Sequence, residues 1–113
     1  MISPEKIQAI LTQYTKHGWN LRRVLLSDGL RVTLTDVLQD LFGGAEIVSS
    51  KLNAAWFSRV SNHGEAWELR SLGNPPFALV EVLEENLSGD ERDEVLRETE
   101  SRMLDKQITQ AQT

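Results

Sequence analysis

The fold is decided by residues 46–85, which read EIVSSKLNAAWFSRVSNHGEAWELRSLGNPPFALVEVLEE. The stretch is rich in β-branched and aromatic residues, which are typical of strands, and turn-forming residues interrupt it. Proline has no amide hydrogen to donate to a sheet, so the Pro-Pro pair marks a turn. The pattern predicts a meander of antiparallel strands, with a hairpin of strands 54–61 and 65–71 and a further strand at 77–83.

Two helices and a strand are predicted before this meander. Ser3-Pro4 is a typical helix start, and the apolar residues that follow recur at helical spacing, which predicts a helix over about 4–17. A strand follows at about 21–27, where three consecutive apolar residues precede a turn signal. A second apolar stripe at helical spacing, ended by a pair of glycines, predicts a short helix over about 34–42.

A longer helix is predicted after the meander. Ser88 and Glu91 have the spacing of a capping box, and the strong helix formers that follow predict a helix over about 89–107. The tail 108–113 is expected to fray. Together these elements predict one α+β domain over residues 1–113, in the order α-β-α-β-β-β-β-α. We expect an antiparallel sheet of four to five strands with the helices packed mainly on one face.

The composition is that of an ordinary globular domain. The chain has 113 residues, of which 40% are hydrophobic and 26% charged, and these values argue against disorder. It contains no cysteine, which excludes thiol catalysis, disulfides and thiolate metal sites. The longest apolar runs fall far short of the ~20 residues that cross a bilayer, and no secretory signal is recognisable. We therefore expect a cytoplasmic protein with no membrane partner.

The charge is unevenly distributed along the chain. Residues 1–63 hold seven basic and five acidic side chains, whereas residues 64–113 hold five basic and twelve acidic ones. The net charge of −5 argues against a nucleic-acid partner, because phosphate binding depends on clustered Lys and Arg. The acidic C-terminal stretch is interpreted as the solvated face of a helix, with docking of a basic partner as the alternative.

The sequence shows no recognisable catalytic motif. His17 and His63 do not have the spacing of metal ligands, and no serine has the G-x-S-x-G context of a hydrolase nucleophile. The adjacent carboxylates fall at positions where exposure to solvent is the usual explanation. We therefore predict no catalytic residue, no metal and no cofactor, and a non-enzymatic role is favoured over an enzymatic one.

The register of the hairpin decides which face each tryptophan occupies. A three-residue loop pairs Phe57 with Leu69 and leaves Trp56 on the opposite, half-exposed face. A loop one residue longer pairs Trp56 with Leu69 and brings Trp56 to the same face as Trp67. The sequence leaves both registers open.

Arginine and tryptophan side chains form the strongest candidate binding group. Guanidinium groups bind carboxylate or phosphate with two parallel hydrogen bonds and stack on indole rings, so such residues on one sheet can form an anion site. The candidate residues are Trp56, Arg59, Trp67, Arg70 and Arg22, with Arg23 as the alternative to Arg22. The competing interpretation is cross-strand salt bridging of Arg59 or Arg70 with Glu68.

These patterns favour a protein-interaction domain, similar in general shape to small adaptor or chaperone proteins. If the helices cover one face of the sheet, its other face is left for a partner, and a homodimer is the expected arrangement. The alternative is a monomer whose Trp56 or Trp67 is shielded by the 74–76 loop or by the last helix. A second functional hypothesis is a small ligand-binding or enzymatic domain that holds an anionic molecule with the arginine and tryptophan group.

Overall fold

A computed structural model describes residues 3–62, 64–73 and 77–111, with side chains through Gln107. His63 in the predicted hairpin loop and residues 74–76 in the predicted turn lie outside the described residues. The helices are α1 (Pro4–Lys16), α2 (Asp28–Thr33), α3 (Leu38–Phe42) and α4 (Gly89–Ala111), with a 3-10 turn at Thr35–Val37 before α3. The strands are β1 (Asn20–Leu26), β2 (Glu46–Ser49), β3 (Ala54–Ser61), β4 (Gly64–Ser71) and β5 (Ala78–Glu84).

The five strands form one sheet in the order β2-β1-β3-β4-β5. The pairs β1–β3, β3–β4 and β4–β5 are antiparallel, whereas β1 and β2 run parallel. The predicted α+β class, element order and strand number are confirmed. The one deviation is the parallel pair, which arises because the helical segment between β1 and β2 returns the chain to the same end of the sheet.

Three helices lie on one face of the sheet, which we call the three-helix face. Their apolar side chains pack over strands β2, β1 and β3. Burial is complete at the centre of this layer, where Ile7 of α1 and Phe57 of β3 are inaccessible to solvent. The main members of this core are Ile7, Leu11, Val24, Leu26, Leu30, Leu34, Phe42, Ala55 and Phe57.

The long helix α4 lies against the opposite face, which we call the α4 face. The helices are thus mainly on one face, as predicted, but the longest of those described covers the other. The second core contains Leu25, Ala54, Trp56, Trp67, Leu69, Leu83, Leu96 and Met103. Both faces of β3 are therefore covered, one by each layer of helices.

Element boundaries differ from the predictions at three places. The helix predicted over 34–42 is a 3-10 turn at Thr35–Val37 followed by the short helix α3 at Leu38–Phe42. Residues 28–33 form the helix α2, although Ser27-Asp28-Gly29 indicates a turn in the sequence. The Ser27 side chain accepts a hydrogen bond from the amide of Leu30 at 3.3 Å and so begins a helix instead. At the C-terminus, α4 continues past residue 107 to Ala111, and fraying of the tail stays a prediction.

Candidate functional site

The hairpin adopts the register that brings both tryptophans to one face. Trp56 pairs with Leu69 and Ser58 pairs with Trp67, so the second of the two predicted registers is confirmed. The longer loop expected with it is wrong, because the pairing continues to Ser61 with Gly64. Side chains alternate along a strand, and this register therefore directs Trp56 and Trp67 together to the α4 face. It also directs Arg59 and Arg70 to the three-helix face.

Trp56 is a core residue in the structure. It is 0% exposed, and its indole Nε1–H donates to a carboxylate oxygen of Glu100 in α4 at 2.7 Å. Its ring meets Trp67 edge to face, with 6.0 Å between the ring centres. The expectation of a surface tryptophan on an open sheet face is therefore wrong, because α4 shields both indoles as in the alternative interpretation.

Arg22 reaches the α4 face because of a bulge in β1. Leu21 pairs with Phe57 and Arg23 pairs with Trp56, so the register shifts at Arg22. Because the bulge adds one residue to the strand, Arg22 and Arg23 both project to the α4 face instead of alternating. Arg22 donates to the hydroxyl of Ser58 at 3.0 Å, and Arg23 forms an ion pair with Glu46 at 2.9 Å.

Two guanidinium groups lie over the ring of Trp67. The Cζ atoms of Arg22 and Arg92 lie 4.8 and 5.7 Å from the centre of its ring. Trp67 is only 4% exposed, and its Nε1–H finds no acceptor among the described residues. Arg92, in the first turn of α4, was not among the predicted site residues, since its sequence context indicates only a solvated helix.

The other two predicted arginines lie on the three-helix face. Arg59 stacks on Trp19, with 4.5 Å between its Cζ and the ring centre, and donates to the carbonyl oxygen of His17 at 3.3 Å. Arg70 donates to the carbonyl oxygen of Ser71. The sheet thus separates Arg59 and Arg70 from the other three candidate residues, and the five do not form one patch.

No described helix covers the part of the three-helix face formed by β4 and β5, and its outer strand is exposed to solvent. We call this part the open half-face. It consists of Ala66, Glu68 and Arg70 on β4, which are buried or half-buried, and of Ala78, Val80 and Val82 on β5, which are exposed. Val80 is 53% and Val82 is 61% exposed. These valines stand side by side on the edge strand of the sheet, beyond the reach of α1 to α3.

Tyr14 marks the boundary between the covered and open halves of this face. Its ring stacks on Phe57, with 4.0 Å between the ring centres, and its hydroxyl donates a hydrogen bond to Glu68. Burial and the bond to the Glu68 carboxylate raise the pKa of the Tyr14 hydroxyl above its ordinary value. Tyr14 therefore fixes the Glu68 carboxylate at the side of the open half-face that is nearest α1.

A shallow groove of about 520 Å³ lies between α1, α3 and the sheet. Leu21, Leu41 and Phe57 contribute to its apolar floor, and Thr12 and Lys16 to its polar rim. None of the five predicted site residues lines it. Among the described residues no group of three or more His, Asp or Glu side chains could hold a metal ion, and no helix is long and apolar enough to cross a membrane.

Comparisons with protein-family models, with curated proteins and with solved structures found no match for this chain. The structure itself offers two candidate functional features. One is the open half-face with its exposed valines, and the other is the pair of arginines around Trp67.

Proposed function

We propose that this protein is a non-enzymatic interaction domain that associates with a second copy of itself through β5 and the open half-face. The exposure of Val80 and Val82 on an edge strand carries this proposal. An edge strand presents unpaired backbone N–H and C=O groups, and neighbouring exposed apolar side chains favour its association with another strand. Location in the cytoplasm stays a prediction.

A two-fold arrangement that pairs β5 with β5 of a second copy places compatible side chains opposite each other. Antiparallel pairing centred on Glu81 places Val80 of one copy opposite Val82 of the other. The valines then form one continuous apolar row across the interface. The two Glu81 side chains meet on the α4 face, where Arg102 of each copy already forms an ion pair with Glu81 and reduces their mutual repulsion.

The opposite edge of the sheet is less suited to association. Strand β2 has four residues against seven in β5, and Glu46 and Ser49 at its two ends are exposed. Short edge strands with charged side chains resist pairing with another chain. This difference between the two edges favours β5 as the contact strand.

Sedimentation equilibrium tests the proposal with the double variant Val80→Lys, Val82→Lys. We expect the wild-type protein at micromolar concentration to sediment at about twice its chain mass of 12.8 kDa. The variant is expected to sediment as the single chain, because two charges replace the apolar row. A wild-type protein that sediments as a single chain at this concentration would refute the homodimer.

Two exposed valines outside β5 supply matched controls. Val32 in α2 is 73% exposed and Val60 at the end of β3 is 85% exposed. The double variant Val32→Lys, Val60→Lys adds the same charge at positions that the proposed contact does not use. It is expected to keep the wild-type mass, and a loss of association in this control would show that charge, and not the open half-face, determines the oligomeric state.

A further inference from the structure

Two cationic side chains converge on a single buried indole near the start of α4. Arg22 extends from the bulge in β1, and Arg92 extends from α4, with the Trp67 ring within 4.8 and 5.7 Å of their Cζ atoms. The hydroxyl of Ser58 on β3 and the carboxylate of Glu65 on β4 contact Arg22. We call Arg22, Ser58, Glu65, Trp67 and Arg92 the double-arginine cluster.

The charges in this cluster do not balance. Glu65 lies 3.6 Å from Arg22, which is too long for a hydrogen bond, and its side chain is 40% exposed. Arg92 forms no ion pair with a described residue. Two like charges near one desolvated ring repel each other, and a further anion would reduce that repulsion.

The cluster also contains two buried hydrogen-bond donors without acceptors. The Nε1–H of Trp67 and the Nε–H of Arg92 are both buried, and neither has a partner among the described residues. The neighbouring Trp56 differs, because Glu100 accepts the hydrogen bond of its indole. Most buried donors in folded proteins are paired, so two unpaired donors in one cluster point to an acceptor other than the described residues.

We propose that the double-arginine cluster binds the carboxylate group of a small molecule. Two arginines and one glutamate leave a single positive charge, which one carboxylate neutralises. A phosphate dianion carries twice that charge, and Asp90 and Glu91 in the first turn of α4 already add negative charge near Arg92, so the anion with the smaller charge is favoured. The planar guanidinium group also matches the geometry of a carboxylate, which accepts two parallel hydrogen bonds from it.

This site is independent of the proposed dimer contact, because it lies on the α4 face and β5 pairs through its outer edge. The two proposals can therefore fail separately. A carboxylate that binds at the cluster is expected to act equally on the wild-type protein and on the Val80→Lys, Val82→Lys variant.

The test titrates the protein with sodium acetate, and with sodium phosphate at equal ionic strength, while tryptophan fluorescence and the melting temperature are followed. Acetate is expected to produce a saturable change in both signals, because it binds beside Trp67 and only to the folded chain. The variants Arg22→Gln and Arg92→Gln are each expected to raise the apparent Kd for acetate about tenfold. Arg92→Lys, which keeps the charge without the planar fork, is expected to give an intermediate Kd.

Arg59→Gln is the matched control, because Arg59 stacks on Trp19 at a similar distance but on the opposite face. It is expected to bind acetate like the wild-type protein. A wild-type protein without a saturable response, or Gln variants that respond like the wild type, would overturn the site. Stronger binding of phosphate than of acetate would overturn its assignment to a carboxylate.

Discussion

Gly64 begins β4 at a point where no side chain fits. A Cβ atom at this position would lie 1.9 Å from the carbonyl oxygen of Leu83 in β5, and the φ angle of Gly64 is +152°. The sequence indicates this glycine as a turn residue of the hairpin, but the structure shows that the close approach of β5 requires it. Such an approach between strands cannot be inferred before their order is known.

We therefore expect Gly64→Ala to lower the free energy of unfolding by more than about 3 kcal/mol, because β4 and β5 must separate to admit a methyl group. Guanidinium denaturation followed by circular dichroism measures this loss. Gly29→Ala is the matched control, since no atom lies within 4 Å of its added Cβ and Gly29 is inside α2. Alanine there is expected to stabilise the protein by about 0.5–1 kcal/mol. Equal effects of the two substitutions would contradict the close approach.

Tyr14 makes stability depend on pH in the alkaline range. Its pKa is raised in the folded state by burial and by the hydrogen bond to Glu68, above the value of about 10 in an unfolded chain. Its contribution to stability is therefore fully present below pH of about 10 and is lost as the pH rises through the folded pKa. Tyr14→Phe is expected to remove this part of the alkaline loss, as measured by denaturation at pH of about 8 and about 11.

Tyr14 is the only tyrosine of the chain, so ultraviolet absorbance follows its ionisation directly. Ionisation at an ordinary pKa in the folded protein would contradict the contact with Glu68. The sequence places Tyr14 on the apolar stripe of the first helix, but the position of Glu68 beneath it depends on how α1 crosses the sheet.

The residues of the proposed double-arginine cluster were only partly predictable at this scale. Arg22 and Trp67 carry a recognisable chemistry, and the structure brings them together. Arg92 was missed because one arginine among the acids of α4 resembles any solvated helical residue. Arg59 and Arg70 were grouped with the others because the sheet face of each follows from the register, which the sequence left open.

At the scale of elements, α4 begins with the capping box that its sequence predicts. The Ser88 hydroxyl accepts from the amide of Glu91 at 3.1 Å, and a carboxylate oxygen of Glu91 accepts from the amide of Ser88 at 3.2 Å. Ser88→Ala removes the first of these bonds and is expected to cost about 1 kcal/mol in the free energy of unfolding. Urea denaturation measures this loss.

Ser101 supplies a control for that substitution, because it is an exposed serine in the interior of α4. Ser101→Ala is expected to be neutral or slightly stabilising, since alanine is the better helix former. A Ser88→Ala variant as stable as Ser101→Ala would show that the capping box contributes little to the helix.

Local signals predicted the long elements well and the short ones poorly. The capping residues of both helices, the apolar spacing of α1 and the strong helix formers of α4 lie within each segment, so their sequence alone identifies them. Strand β2 pairs in parallel with β1, and α2 contains a glycine and two β-branched residues in six positions. Both short elements are stabilised by contacts with the rest of the fold, which local patterns do not contain.

At the scale of the whole molecule, the proposed self-association links stability to protein concentration. If folded chains associate through β5, mass action raises the melting temperature as the protein concentration rises. We expect this dependence in scanning calorimetry of the wild-type protein and its loss in the Val80→Lys, Val82→Lys variant. A melting temperature that is the same over a hundredfold range of concentration would contradict it.

The position of β3 between the two hydrophobic layers determines how the molecule unfolds. It gives Ala55 and Phe57 to one hydrophobic layer and Ala54 and Trp56 to the other. A slip of this strand by one residue would exchange the side chains that the two layers receive, and neither layer could then close. Both hydrophobic layers therefore depend on the same strand, and we expect them to unfold in a single cooperative transition and not one after the other.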